Sequence, residues 1–300
     1  MTQPVFRFAP SPNGRLHLGH AYSALENARL AARFGGRLLL RIEDIDTTRC
    51  RPDLVAALVD DLAWLGLPFE PDPLRQSARF PVYEAAAAGL RARGLLYPCA
   101  CSRTEIAAAV AAREAETGRP WPRDPDGAPL YPGTCRDRDP DSVLAAARRT
   151  GRPVAWRLDR TRALAAAPGP HAYRRFDDDG ATESVAADPA RWGDVVLVRK
   201  ETPTSYHLAV VVDDAAQEIT HVVRGQDLEA ATDLHVLLQR LLGLPTPLYR
   251  HHGLLRDAAG SKLAKSLGAR PLADLRAEGW TAQEVRAAAT AAARRTTDAG

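Results

Sequence analysis

The first hundred residues alternate short apolar runs with longer segments whose apolar positions recur at helical spacing. Val5 to Ala9 is typical of a strand, and Pro10 to Gly14 supplies a turn-rich loop after it. Helical spacing begins at Leu18, Leu38 to Ile42 predicts a second buried strand, and Pro52 opens a leucine-rich helix. This succession of strand, helix, strand and helix predicts a parallel sheet covered by helices.

The pattern breaks between about residues 97 and 188, where prolines, three cysteines and the acidic run Asp177 to Asp179 occur. We interpret this stretch as an inserted subdomain. A leucine-rich helix is expected from Leu228 to Leu242 with Asp227 as its N-cap, and a weaker helix from Thr281 to Arg295. Further strands are predicted at Asp194–Arg199, Tyr206–Val212, Ile219–Arg224 and Leu248–Leu255.

The expected fold is therefore an α/β protein with a Rossmann-like, doubly wound parallel sheet and one insert. We assign residues 1–96 and 189–270 to the sheet domain, 97–188 to the insert and 271–300 to a short helical tail. The sheet domain would be the catalytic one, because open parallel sheets bind ligands at the carboxyl ends of their strands.

The composition is that of a globular protein without a membrane-spanning segment. Three hundred residues, 45% of them hydrophobic and 26% charged, suffice for a buried core in an ordinary globular protein. No run of about 18 apolar residues exists, and Met1 to Pro10 lacks the pattern of a signal peptide. We therefore expect a cytoplasmic protein with no membrane contact. The net charge of +3 permits contact with nucleic acid but does not argue for it.

Lysine is scarce in this chain, and where it persists it is clustered. Of 40 basic residues, only Lys200, Lys262 and Lys265 are lysines. Two ammonium groups within four residues favour a role for which a planar guanidinium is less suited, such as contact with a transferring phosphate. The pair follows the last predicted strand of the sheet, although a solvated loop would explain it if it stood alone.

His17 and His20 flank Gly19 at the predicted start of the first long helix. A helix N-terminus presents free N–H groups and a positive dipole end to an anion. Two imidazoles three residues apart lie on one helical face and can donate hydrogen bonds to phosphate, while Gly19 lets a flat ligand approach the backbone. The alternative is a pair of capping or surface histidines. Combined with the lysine pair, the histidines favour a nucleotide site.

Three of the four cysteines lie in the predicted insert. In a reducing compartment, Cys99, Cys101 and Cys135 fit a metal site better than disulfides. Three thiolates and one further ligand would complete a tetrahedral structural zinc site, and no histidine lies between Cys101 and Cys135. Three unliganded cysteines are the alternative. Cys50 lies apart and is typical of a small core residue.

Five motifs occur in an order and spacing that resemble the glutamyl branch of the class I aminoacyl-tRNA synthetases. The resemblance covers roughly residues 4 to 270 and rests on FAPSPNGRLHLGH, RIEDID, SYHLAVVVDD, HVVRGQDL and KLAKS. It implies that His17 to His20 is the HIGH element and that Lys262 to Ser266 is the KMSKS element. Leu263 and Ala264 depart from the family pattern, and the serine hydroxyl missing at Ala264 puts loop closure in doubt.

The resemblance also implies the chemistry of the nucleotide site. The α-carboxylate of glutamate would attack the α-phosphate of ATP, with Mg²⁺ accompanying the nucleotide. His17, His20 and Lys265 would be catalytic, because they would stabilise the negative charge that develops. The residues expected to bind ATP are His17, Gly19, His20, Lys262, Lys265 and Ser266.

Glutamate presents two carboxylates and one ammonium, so its pocket needs two cations and one anion. By the resemblance, Glu43 would bind the amine, and Tyr206 and Arg224 would bind carboxylates. Which arginine takes which carboxylate stays open. Selection against glutamine is expected, because glutamine would leave one arginine without its anion. The residues expected to hold glutamate are Arg7, Ala9, Ser11, Glu43, Tyr206 and Arg224.

Truncated relatives in this branch place a tyrosine four residues before the last cysteine, and Tyr131 has that spacing to Cys135. The resemblance therefore implies one structural Zn²⁺ held by Tyr131 and the three cysteines of the insert. Only 34 residues follow Ser266, which leaves no room for the helical anticodon-binding domain of an ordinary glutamyl-tRNA synthetase. The truncated relatives transfer glutamate to the queuosine base at the wobble position of tRNA(Asp), and we expect the same here, from a monomer.

Three alternatives remain. The chain could charge tRNA(Glu) with the help of a separate anticodon-binding protein. It could be a small nucleotidyltransferase that shares only the HIGH-type site, although that class lacks the glutamate-binding set. It could also be a non-catalytic, zinc-containing RNA-binding module, which predicts no pyrophosphate–ATP exchange.

Overall fold

The computed structural model describes residues 3–255 and 270–297, without the side chains of residues 294–297. The strands of the described chain are β1 Val5–Phe8, β2 Arg37–Ile42, β3 Leu74–Arg75, β4 Leu96–Cys99, β5 Ala155–Leu158, β6 His171–Phe176, β7 Thr182–Ala187, β8 Val196–Val198, β9 His221–Gly225 and β10 Leu248–His252. Its helices are α1 Leu18–Arg33, α2 Pro52–Trp64, α3 Phe80–Ala92, α4 Arg103–Thr117, α5 Pro140–Arg149, α6 Arg160–Ala166, α7 Tyr206–Ala216, α8 Ala231–Leu242, α9 Leu272–Ala277 and α10 Ala282–Thr297.

The large sheet has seven strands in the order β3-β2-β1-β9-β10-β6-β7. Its neighbouring strands are parallel except for the pair β6–β7. The chain runs outward from β1 to β3 on one side and resumes on the other side at β9 and β10. The order therefore reverses between β1 and β9, and ligands bind at the carboxyl ends of strands at such a switch point. The predicted doubly wound parallel sheet is confirmed.

Both faces of this sheet are buried, which explains the continuous apolar runs of its central strands. Successive residues of a strand point to opposite faces. Phe6 of β1 accordingly packs in one cluster with Leu30 of α1, whereas Val5 packs in another with Val236 of α8. The predicted C-terminal helix is confirmed as α10, and its Val285 is fully buried beside α1 and α2.

A second, antiparallel sheet of three strands, β4-β5-β8, lies within and just after the predicted insert. Strand pairing does not follow the predicted boundaries of residues 97–188. Strands β6 and β7 belong to the large sheet, and β8, which we assigned to the sheet domain, pairs with β5. The division into domains stays a prediction. If strand pairing defined the domains, β6 and β7 would join the sheet domain and β8 would join the insert.

Two details of the predicted secondary structure are wrong. Tyr206–Val212 is the start of helix α7, where the Ser205 side chain accepts a hydrogen bond from the Leu208 amide. The run is apolar because the helix is buried, and a short apolar run cannot distinguish a buried helix from a strand. Asp227 is no N-cap, because it lies in a 3₁₀ turn, Gln226–Leu228, and α8 begins later, after Ala230.

The predicted lysine loop, with Lys262, Lys265 and Ser266, lies outside the described residues. Within the described ranges, no helix is both long and apolar enough to cross a membrane.

Candidate functional site

A cavity of about 270 Å³ lies at the carboxyl ends of β1 and β9, at the switch point of the large sheet. The backbone amide of Glu43 donates to the carbonyl of Pro10 at 3.0 Å, which ties the end of β2 to the loop after β1. All six residues that the sequence assigned to glutamate line this one cavity, namely Arg7, Ala9, Ser11, Glu43, Tyr206 and Arg224. Their contact with glutamate itself stays a prediction.

Buried ion pairs connect Arg7 and Glu43, which line the cavity, to Arg41 and Asp214. Asp214 accepts from Arg7 at 3.0 Å and from Arg41 at 2.7 Å, and Arg41 also donates to Glu43 at 3.0 Å. Burial opposes ionisation of Asp214, but the two guanidinium groups hold its pKa below the usual value. With both carboxylates ionised, these two arginines and two carboxylates sum to zero charge. The network therefore fixes Arg7 and Glu43 in place without a net charge.

Burial has the larger effect on Glu43, whose pKa is raised despite the nearby Arg41 and Arg7. An ammonium group arriving in the cavity would favour the ionised form, because an opposite charge stabilises a carboxylate. Glu43 is thus suited to accept hydrogen bonds from a substrate amine, whose positive charge would stabilise the ionised carboxylate.

Arg224 differs from the other buried arginines because its hydrogen-bond partners are uncharged. Its guanidinium donates to the Tyr206 hydroxyl at 3.3 Å and the Thr232 hydroxyl at 2.8 Å, and it lies 5.5 Å from the centre of the Tyr249 ring. Two imidazoles, of His235 and His251, lie at 3.2 and 3.4 Å. Within residues 3–255 and 270–297, these contacts include no carboxylate. Arg224 is 5% exposed and keeps its positive charge without a carboxylate partner in these contacts, so it can bind an incoming anion.

The histidine pair lies at the N-terminus of α1, where the sequence predicted a phosphate site. His17 is the N-cap of α1 and accepts from the Gly19 amide through Nδ1 at 3.1 Å, and His20 Nδ1 accepts from the His17 amide at 3.2 Å. A Cβ at Gly19 would lie 2.9 Å from the His17 ring, so any larger residue would displace that ring from its capping position. Capping and ligand binding are thus compatible functions of one histidine pair.

These two contacts fix which nitrogen carries the proton. Burial lowers the pKa of His17, and burial together with His17 lowers that of His20 to about 4, so both rings are neutral near pH 7. A neutral ring that accepts at Nδ1 carries its hydrogen on Nε2. Each histidine can therefore donate one Nε2–H to an oxygen of a ligand.

A second cavity, of about 300 Å³, lies beside the histidine pair. It shares His20, Ser23, Gly225 and Asp227 with the first cavity, so the two adjoin. Leu255, the last described residue before residues 256–269, also lines it. Asp227, which the sequence suggested only as a helix cap, places a carboxylate where the two cavities meet. The structure thus brings the predicted histidines next to the six residues assigned to glutamate.

The three predicted cysteine ligands converge. Their sulfur atoms lie within 4.8 Å of one another, and the Tyr131 hydroxyl lies 3.3 Å from Cys99 and 3.5 Å from Cys101. The cysteines are free, and 3.4 Å between the sulfurs of Cys101 and Cys135 is far beyond a disulfide bond. A hydrogen bond from Cys135 lowers the pKa of Cys99, which favours a thiolate. The donor set fits Zn²⁺, with Tyr131 as the predicted fourth ligand. Cys50 is buried elsewhere, 3.7 Å from Ser11.

The family model of the catalytic domain of class I tRNA synthetases (E and Q) matches residues 4–143 and 163–288. The chain belongs to the class I tRNA synthetases of this E and Q family. The glutamyl-Q tRNA(Asp) synthetase of Rhodobacter capsulatus is 48% identical over 282 residues, which are 94% of this chain and 98% of that protein. The corresponding protein of Symbiobacterium thermophilum is 40% identical, over 93% of this chain and 83% of its own length.

Solved structures give the same family. A crystal structure of a glutamate tRNA ligase from Elizabethkingia meningosepticum, in complex with its amino acid, matches with a TM-score of 0.64 and 27% identity. The match covers 85% of this synthetase chain and 50% of that ligase. The chain thus spans about half the length of that glutamate tRNA ligase.

Beside the cysteines, the synthetase has an open groove of about 950 Å³. Its cations outnumber its acidic residues, Asp46 and Glu201, and one of them, Lys200, donates to the Cys101 carbonyl at 2.9 Å. Such a groove is suited to a phosphate backbone. Sequence reasoning missed it, because its basic residues come from distant segments: Arg49, Arg103, Arg157, Arg199 and Lys200.

Sequence reasoning also missed Arg41 and Asp214, which hold Arg7 and Glu43. A signal for them existed. Arg41 is a charged residue inside a predicted buried strand, and Asp214 closes an apolar run. Charged residues are rarely fully buried unless they are paired, so each position indicates a partner elsewhere in the chain. The sequence could not say which partner, because the two lie 173 positions apart in the chain.

Proposed function

We propose that this synthetase activates L-glutamate with ATP and transfers the glutamyl group to the queuosine base at the wobble position of tRNA(Asp). The observation that carries the proposal is the cavity pair at the switch point. One cavity is lined by Arg7, Glu43 and Arg224, and the adjoining one by His17 and His20. Two cations and one anion match a dicarboxylic amino acid, and neutral imidazole donors match the phosphates of ATP.

In the first step, an oxygen of the glutamate α-carboxylate attacks the α-phosphorus of ATP. The new bond gives glutamyl-adenylate, the bond to the β-phosphate breaks, and pyrophosphate leaves. The Nε2–H groups of His17 and His20 would donate to phosphate oxygens, and the predicted Lys265 would add a positive charge. Catalysis here needs alignment of the reactants and stabilisation of charge, and no nucleophile from the protein.

Recognition of glutamate would divide the pocket by charge. Glu43 would accept hydrogen bonds from the substrate ammonium, while Arg7 and Arg224 would face carboxylates. The Tyr206 hydroxyl already accepts from Arg224, so its own proton is available for the same carboxylate. Glutamine would place an uncharged amide against a buried guanidinium and leave that guanidinium without a counter-ion. The pocket should therefore select glutamate.

In the second step, a hydroxyl group of the acceptor attacks the carbonyl carbon of glutamyl-adenylate, loses its proton and displaces AMP. The groove near Lys200 would hold the phosphate backbone of the anticodon stem-loop, with the strands of the predicted insert as one wall. The names of the two relatives described above support queuosine-bearing tRNA(Asp) as the acceptor.

The two metal ions would have different tasks. Mg²⁺ would arrive with ATP and neutralise phosphate charge, and Asp227 supplies a carboxylate at the nucleotide cavity. Zn²⁺ would be structural, closing the loop between Cys101 and Cys135 with Cys99 and Tyr131. We retain the predictions that the protein is a cytoplasmic monomer.

The deciding experiment offers ATP and radiolabelled glutamate with three acceptors: tRNA(Asp) bearing queuosine, unmodified tRNA(Asp) and tRNA(Glu). The proposal predicts that label is transferred only to tRNA(Asp) bearing queuosine. Glutamylation confined to tRNA(Glu) would refute the proposed acceptor and favour a partner-assisted glutamyl-tRNA synthetase. The absence of any transfer and of any pyrophosphate–ATP exchange would refute the enzymatic function.

A further inference from the structure

The guanidinium of Arg224 is held on one side by a histidine, and the hydrogen-bond directions can be worked out. Nη1 of Arg224 lies 3.2 Å from Nδ1 of His235, and Nε2 of His235 lies 3.2 Å from Nδ1 of His207. Arginine can only donate, so Nδ1 of His235 must accept and its hydrogen must be on Nε2. His235 then donates to His207, whose hydrogen is also on Nε2.

A second histidine holds the opposite side of the same group. Nε of Arg224 points to Nε2 of His251 at 3.4 Å, and the Thr232 hydroxyl lies 3.1 Å from that same nitrogen. Thr232 accepts from Nη2 of Arg224, and its own hydroxyl hydrogen can share the Nε2 lone pair of His251 with Nε of Arg224. His251 accepts at Nε2 and carries its hydrogen on Nδ1, which is buried 4.0 Å from a carboxylate oxygen of Glu229. The two histidines beside Arg224 thus have opposite tautomers.

The imidazoles around Arg224 stay uncharged. Burial, followed by the charge of Arg224, lowers the pKa of His207 to about 4 and that of His251 to about 3, and burial lowers that of His235 well below its usual value. Arg7 and Arg41, in contrast, share the carboxylate of Asp214. Of the two arginines that line the cavity, Arg7 is thus paired with an acidic residue, whereas Arg224 is held by uncharged acceptors that leave its charge intact.

We propose that His235 and His251 are positioning residues for substrate selection, which hold the Arg224 guanidinium in a fixed plane without offsetting its charge. Four of its five N–H groups are directed at Tyr206, Thr232 and the two histidines, which leaves one Nη2 hydrogen for a ligand. An anionic residue at either histidine position would fix the plane equally well but would compete with the substrate carboxylate. This inference rests on the proposed activation of glutamate, and it adds the residues that set the charge preference.

The test compares three substitutions at one position: His235→Gln, His235→Leu and His235→Glu. Glutamine restores a neutral acceptor, leucine removes the acceptor, and glutamate supplies an acceptor with a charge. We expect KM for L-glutamate in pyrophosphate–ATP exchange to rise about 10- to 100-fold in His235→Glu, because a charge-assisted contact to the substrate is lost. His235→Gln should recover most of the wild-type KM, and KM for ATP should change little in all three.

Stability separates this role from a structural one. His235→Glu pairs Arg224, so its midpoint of urea unfolding should equal or exceed that of the wild type even though glutamate binding is weak. If His235 only supports packing, stability and KM for glutamate would worsen together, and His235→Leu, which still fills the buried space, would do at least as well as His235→Gln. The proposal expects the opposite order, with a higher KM for glutamate in His235→Leu than in His235→Gln, because leucine offers Arg224 no acceptor. The matched control is His171→Glu, a half-buried histidine at the start of β6, which should leave KM for glutamate unchanged.

A spectroscopic measurement tests the geometry without activity. With ¹⁵N-labelled histidine, His235 should show its hydrogen on Nε2 and His251 its hydrogen on Nδ1 at pH 7.5. A charged His235, or one protonated at Nδ1, would overturn the inference. If the wild-type protein catalyses no exchange with glutamate, the proposed function fails. If it does and His235→Glu keeps a normal KM for glutamate, only the present inference fails.

Discussion

Removing the charge of Arg224 should leave the folded protein as stable as before, whereas removing that of Arg41 should not. Both side chains are almost fully buried, at 5% and 0% exposure. Arg41 donates to Asp214 and Glu43, so Arg41→Met leaves Glu43 without its ion pair and Asp214 with Arg7 alone. Breaking a buried pair from one side typically costs about 3–5 kcal/mol of unfolding free energy.

Arg224→Met strands no carboxylate, because the partners of Arg224 in the described chain are hydroxyl and imidazole groups. The hydroxyl groups of Tyr206 and Thr232 can rotate, and His235 can exchange tautomers. Burial of an unpaired cation is itself unfavourable, so methionine should change the unfolding free energy by about 1 kcal/mol or less, or raise it. The two variants should therefore differ by about 2 kcal/mol or more.

The assay is urea unfolding without substrates, followed by tryptophan fluorescence and interpreted at a common slope. The exposed Arg240→Met is the matched surface control. Glutamate at 100 times its Kd should stabilise the wild type by about 2.7 kcal/mol and should not stabilise Arg224→Met. Equal destabilisation by Arg224→Met and Arg41→Met would refute the idea that Arg224 is held without a counter-ion.

Three further predictions follow from the site. Cys101→Ser should abolish stoichiometric zinc binding and lower the urea midpoint, whereas Cys50→Ser should keep one zinc per chain. Metal content after dialysis tests this prediction, and equal zinc content in the two variants would contradict the assigned ligands. His20→Ala should slow pyrophosphate–ATP exchange about 10²–10³-fold, as loss of a charge-stabilising donor does, and an unchanged kcat would remove His20 from catalysis. Burial lowers the folded pKa of all eight histidines, so the unfolded chain binds more protons below about pH 6.5. Stability should therefore be full above pH 6.5 and fall as the pH is lowered toward 4, and a urea midpoint that stays constant over this range would contradict the lowered values.

The sequence predicted best those features that follow from local pattern and from the rules of parallel sheets. Strand β1, helix α1 and strand β2 were recognisable from periodicity, and each carries its site residues at or just beyond a terminus. Because parallel strands end at one edge, Arg7, Glu43 and Arg224 could be expected to meet there, and they line one cavity. The cysteine cluster was predictable from residue type and spacing, although the fourth ligand came only from family resemblance.

Features that depend on pairing between distant segments could not be predicted from the sequence. The run at Tyr206 is continuously apolar because helix α7 is buried, and burial of that kind is a property of the completed fold. Strand β6 joins the large sheet through β10, whose first paired residue, Leu248, lies 74 positions after its partner Arg174. The histidines that hold Arg224 come from α8 and β10, and only the fold shows that they face one guanidinium.

Pyrophosphate–ATP exchange without tRNA tests the central claim most directly, because it reports formation of the adenylate alone. A folded preparation should exchange label in the presence of L-glutamate and far less with L-glutamine at the same concentration. Absence of exchange with glutamate, or equal exchange with the two amino acids, would contradict a pocket in which Arg7 and Arg224 face carboxylates.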